Sequence, residues 1–84
     1  MTPEELLKNL KKWYEQLPIP ILFKVNIKST QDKIKITITG IEEANDALYI
    51  ILKSIYYINA FEGYFIEKME GDIDPIIITI GKSE

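Results

Sequence analysis

The apolar residues of this chain switch between two spacings, and that switch constrains the fold more than any other feature. Leu6, Leu10, Trp13 and Leu17 recur at helical spacing, with Leu7 and Tyr14 beside them. Counting about 100° per residue, these six fall within an arc of about 120°. Lys8, Lys11, Lys12 and Glu15 lie opposite. Thr2, Pro3 and Glu5 supply a helix start, with Thr2 as N-cap, proline at the first helical position and Glu5 completing a capping box. Pro18 and Pro20 end the helix.

From Ile21 the period becomes two. Ile21, Phe23, Val25 and Ile27 alternate with Leu22, Lys24, Asn26 and Lys28. After the polar loop 29–32, Ile34, Ile36 and Ile38 alternate with Lys33, Lys35, Thr37 and Thr39. This pattern predicts an antiparallel hairpin with one buried face and a Lys/Thr/Asn face outward.

Helical spacing returns over about 42–61. Thr39 to Glu42 is read as a second capping box, Ala44, Leu48, Ile51, Ile55 and Ile58 as the central stripe, and Gly63 as the stop. A strand over Tyr64–Glu70, a turn at 71–75 and a strand over Ile76–Ile80 complete an αββαββ order. The two αββ units echo each other at an offset of 41, as in Ile36-Thr37-Ile38-Thr39-Gly40 and Ile77-Ile78-Thr79-Ile80-Gly81.

Short hairpins and right-handed crossovers then favour an α+β two-layer sandwich, with both helices on one face of a four-stranded antiparallel sheet. Its expected strand order along the chain is 3-4-2-1, the ferredoxin-like arrangement circularly permuted so that its first strand comes last. The 84 residues are read as a single domain. The expected core takes Leu6, Leu10, Trp13 and Leu17 from the first helix and Phe23, Val25, Ile27, Ile34, Ile36 and Ile38 from the hairpin. Leu48, Ile51, Ile55 and Ile58 join from the second helix, and Ile76, Ile78 and Ile80 from the last strand. In the third strand, Tyr64/Ile66 and Phe65/Met69 compete for the core face.

Composition narrows the chemistry. The chain has no cysteine, so it can form no disulfide, thiolate nucleophile or Cys-ligated cluster. It has no histidine, which removes the usual general base near pH 7 and the commonest metal ligand. Ser29, Ser54 and Ser83 have no histidine to activate them, and the four glycines form no phosphate-binding loop. The chain is therefore read as no enzyme, with no catalytic residue, cofactor or metal. Glu67, Glu70, Asp72 and Asp74 form its densest carboxylate group, but without an EF-hand pattern they are read as turn chemistry.

The net charge of −3 is unevenly spread. Residues 1–40 hold seven lysines against four acids, and 41–84 three lysines against nine acids. Every basic residue is lysine. Bidentate recognition of phosphate or guanine is mainly arginine work, so the composition argues against a dedicated nucleic-acid binder. Lys24, Lys28, Lys33 and Lys35 share the outward face of the hairpin, where an anion or single strand could lie if an aromatic ring supplied stacking. Phe65 of the far strand is the candidate ring.

The second helix carries more apolar surface than one core contact needs. Tyr49 and Tyr56 lie on one flank of its stripe and Ile50 and Tyr57 on the other, marking a candidate interface for a homodimer or a partner protein. No targeting signal or membrane-spanning stretch is evident, so a soluble, cytoplasm-compatible protein is expected.

In style the chain resembles computationally designed (de novo) α/β proteins. The Thr-Pro-Glu-Glu opening, the near-strict alternation in the first two strands, the missing cysteine and histidine and the isoleucine-rich core carry that likeness. The resemblance implies a scaffold with no evolved activity. The alternatives are an interaction module using the second helix and an anion- or nucleic-acid-binding sheet using the lysine face.

Overall fold

Thr2 starts the first helix as its sequence demands: it is extended, and its Oγ1 accepts the Glu5 N–H at 3.2 Å. In this computed structural model, residues 2–18, 23–30, 33–71 and 73–83 are described. The elements are α1 (Pro3–Glu15), β1 (Lys24–Thr30), β2 (Lys33–Thr39), α2 (Ala44–Asn59), β3 (Tyr64–Glu70) and β4 (Ile76–Lys82). Ile21 and Leu22 of the expected first strand, Gln31 and Asp32 of its loop, and Asp72 lie outside the described residues. Ser29 and Thr30, expected in the loop, continue β1 instead.

The sheet is fully antiparallel in the order β1-β2-β4-β3. A sheet can be read from either edge, so these neighbour relations are those of 3-4-2-1, with β2 and β4 in the middle. The helices cover one face. Ile34, Ile36 and Ile38 of β2 and Ile76, Ile78 and Ile80 of β4 are buried there with Leu6, Leu10 and Tyr14 of α1. Val25 and Ile27 of edge strand β1 pack on this core only half-buried. Leu17 and Phe23 are likewise half-buried against it.

Three expectations are corrected by packing. α2 has no Thr39–Glu42 capping box; its N-cap is Glu43, without a side-chain bond. The chain instead turns at Gly40 (φ 93°) and sends Ile41 into the core, which delays the helix start. On α1, Tyr14 rather than Trp13 is fully buried, because the 6–10–14 line faces the sheet and Trp13 sits at the seam with α2. There the Trp13 ring stacks on Tyr57, 4.4 Å between centroids, with Phe61 edge-on to Tyr57 at 4.9 Å.

The third correction rotates α2. Its buried line is Ala47, Ile50, Ser54 and Ile58, not Ala44, Leu48, Ile51, Ile55 and Ile58. The shift is roughly 75° about the helix axis at about 100° per residue. Leu48 is consequently exposed, Ile51 and Ile55 are half-buried, and Ile50 is fully buried.

In β3 the contest resolves in favour of Tyr64 and Ile66, which face the core, leaving Phe65 outward. A bulge between Ile66 and Lys68 leaves Glu67 unpaired with β4. The following turn requires Gly71: its φ is 88°, and a Cβ there would overlap the Pro75 carbonyl. Among the described residues, no helix is long and apolar enough to cross a membrane.

Candidate functional site

Rotating α2 redistributes the candidate interface. Ile50 leaves it for the core, and Tyr57 is occupied by Trp13. Tyr49 and Tyr56, the other two candidates, are exposed. Leu48 and Leu52, one assigned to the core and the other unassigned by the sequence, emerge on the surface at 54% and 57% exposure, with Tyr56 at 82%.

These side chains form a ridge. Asn45, Leu48, Leu52, Ile55 and Asn59 recur at alternating steps of three and four, the spacing of a helix–helix seam. At about 100° per residue, this line points away from both the sheet and the Tyr57 flank that meets α1. Leu52, Ile55, Tyr56, Asn59 and Ala60 border a shallow apolar groove at its C-terminal half. The ridge carries no charge: Asp46 and Lys53 stand on the other flank, where Lys53 Nζ lies 5.6 Å from the Tyr49 ring centroid.

The uncovered sheet face is the second candidate. Strand alternation places Lys24, Asn26 and Lys28 outward on β1, and Lys33, Lys35 and Thr37 outward on β2. All four predicted lysines therefore share one surface, and all are exposed. Lys28 and Lys35 are direct cross-strand partners, with Thr79 and then Lys68 following in the same row. Lys33 Nζ binds Glu67 Oε1 at 2.7 Å, and Lys68 Nζ lies 3.4 Å from Glu70 Oε1. Among the described residues, no carboxylate is paired with Lys24, Lys28 or Lys35.

The described members of the dense carboxylate group, Glu67, Glu70 and Asp74, do not converge. Glu67 and Glu70 each pair with a lysine, and Asp74 Oδ1 accepts the Gly40 N–H at 3.3 Å, tying the β3–β4 turn to the turn before α2. Among the described residues, no three acids gather to hold a metal ion.

A polar contact inside the core joins α1 to α2, and hydropathy patterning does not announce it. Ser54 Oγ donates to the Ile50 carbonyl at 2.6 Å and lies 2.6 Å from Tyr14 Oη, where the tyrosine hydroxyl can donate to it. Burial pushes the Tyr14 hydroxyl up to about 12, against a smaller lowering by the Ser54 bond. Burial also raises Tyr57. The Tyr14–Ser54 bond fastens α1 to α2 and leaves the ridge of α2 facing away.

Together these features define a two-layer α+β sandwich with two uncommitted surfaces, an apolar helix ridge and a cationic sheet face. Comparisons with protein-family models, with characterised proteins and with solved structures found no match.

Proposed function

We propose that this protein is a small interaction module that pairs with a second copy of itself through the outward ridge of α2. The observation that carries the reading is the exposed line Leu48–Leu52–Tyr56 bounded at both ends by asparagine. Contiguous exposed apolar surface with a polar rim marks an interaction site. A scaffold without activity, the reading drawn from designed proteins, has no need of that ridge, since design rules keep surfaces free of apolar patches. The frame is read as the ferredoxin-like sandwich with its first strand moved to the end, supported by the neighbour relations of the four strands.

The occupant follows from the ridge's symmetry. Read from either end it runs polar, apolar, apolar, apolar, polar. Two copies crossing antiparallel about Leu52 set apolar on apolar and bring Asn45 of each beside Asn59 of the other. Antiparallel alignment also opposes the two helix dipoles favourably. The contact is one 16-residue helix long, about 24 Å, which places it in the small-interface class and makes micromolar, reversible association the expectation.

Light scattering after size exclusion, over a hundredfold concentration range, tests this. The mass should rise with concentration from 9.8 kDa toward twice that value. Leu52→Lys should hold it at the monomer with an unchanged far-UV spectrum, and Tyr56→Lys should weaken pairing. Each copy carries −3, so added salt should strengthen association. A strict monomer throughout overturns the reading.

A further inference from the structure

We propose that the uncovered sheet face binds single-stranded nucleic acid, with its phosphates over β1 and β2 and a base on Phe65. The sequence left this dependent on an aromatic ring reaching the lysine surface, and the β3 register meets that condition. Phe65 is outward, 44% exposed, and shares a cross-sheet row with Gly81 and Lys33.

Gly81 shapes the platform. A Cβ there would come 2.8 Å from Phe65 Cζ, 2.9 Å from Glu67 Oε2 and 3.1 Å from Phe65 Cε1, so the ring extends from β3 over the glycine of β4 with the Glu67 carboxylate beside it. An outward ring fixed against a sheet offers a stacking surface usable by any base.

The cations are placed to complement it. Lys28 and Lys35 oppose each other directly, a like-charge pairing that disfavours the empty sheet and that a bound anion would relieve. Lys24 adds a third cation on the same half that no carboxylate among the described residues pairs with. Lys33 and Lys68 are engaged by Glu67 and Glu70, so the Phe65 half of the face is close to neutral while the β1–β2 half is cationic. This asymmetry orients the ligand: the acids keep phosphates off β3, and the lysines hold them over the hairpin. With strands about 4.8 Å apart and about 3.4 Å per residue, Phe65 and Lys35 stand about 12 Å apart across the sheet. That span fits a base and its neighbouring phosphates. Lysine contributes point charges without the arginine fork, so binding is expected to be tolerant of sequence.

Fluorescence anisotropy with labelled oligo-dT and oligo-rU of about a dozen nucleotides tests the proposal. Binding should appear at low salt, with a log–log salt slope of about −2 for three phosphate contacts. Raising salt from about 50 to 200 mM should weaken it about 20-fold. Phe65→Ala should cost about tenfold or more at an unchanged slope, while Phe65→Trp restores binding and reports it by indole quenching. Lys28→Gln with Lys35→Gln should flatten the slope by about 1.4. Tighter binding of either oligonucleotide supports the proposal and states whether the 2′-hydroxyl is read. No binding at low salt overturns it, as does equal affinity for inorganic polyphosphate with indifference to Phe65→Ala. Salt weakens this binding and strengthens self-association, so the two surfaces are separable in one titration.

Discussion

Ile78→Ala lowers the unfolding free energy by about 4 kcal/mol and the melting temperature by about 15–25 °C. Ile78 is fully buried on central strand β4, opposite Ile36 of β2 and Met69 of β3. Alanine there removes three carbons from a site walled by two other strands and roofed by the helices, so the cavity cannot readily collapse. A domain of 84 residues is expected to have about 4–13 kcal/mol in total, which makes this loss a large share. Val25→Ala on half-buried edge strand β1 should cost only about 1 kcal/mol. Urea titration with fluorescence from Trp13 measures both, and a shift in midpoint at constant slope assigns the change to stability. Equal small losses at the two sites would contradict a core centred on β2 and β4.

That centre was legible because strand alternation leaves little freedom. Ile34, Ile36 and Ile38 alternate with polar residues, so only one face of β2 can be buried, and a one-residue slip would expose all three. Helix α1 was nearly as plain, although its arc was too broad to choose between Trp13 and Tyr14. The face of α2 was not legible. Its residues from Ala47 to Ile58 are apolar or aromatic except Lys53 and Ser54, so hydropathy supports several rotations about equally. The residue that misleads is Ser54, which reads as surface but is fully buried. A helical serine can bond the carbonyl four residues back and enter a core without an unsatisfied hydroxyl. Once Ser54 turns inward, Leu48 and Leu52 must turn outward, so the candidate interface inherited the same error. Alternation alone suffices to put Lys24, Lys28, Lys33 and Lys35 on one outward face. Its relation to Phe65 depended on the β3 register, where both alternatives offered two large apolar residues.

The Tyr14–Ser54 bond should respond asymmetrically to losing one or the other partner. Ser54→Ala leaves the Tyr14 hydroxyl buried without its partner and costs about 1–3 kcal/mol. Tyr14→Phe leaves Ser54 still bonded to the Ile50 carbonyl and should cost about 1 kcal/mol. The double variant should be less destabilised than the two single losses added together, because the orphaned hydroxyl is gone. Alkali provides an independent reading of the same group. Tyr14 titrates near 10 when unfolded and about 12 when folded, so the folded state holds its proton more tightly. Its contribution is fully present below pH 10, declines between pH 10 and 12 as the unfolded chain ionises first, and is lost above that range. Two pH units at about 1.4 kcal/mol each make the decline about 3 kcal/mol. Tyr14→Phe should remove that part of the slope, leaving the smaller share carried by half-exposed Tyr57. Chemical denaturation at pH 9, 10, 11 and 12 decides it. An alkaline slope identical in the wild type and Tyr14→Phe would mean that the hydroxyl is not buried between the helices.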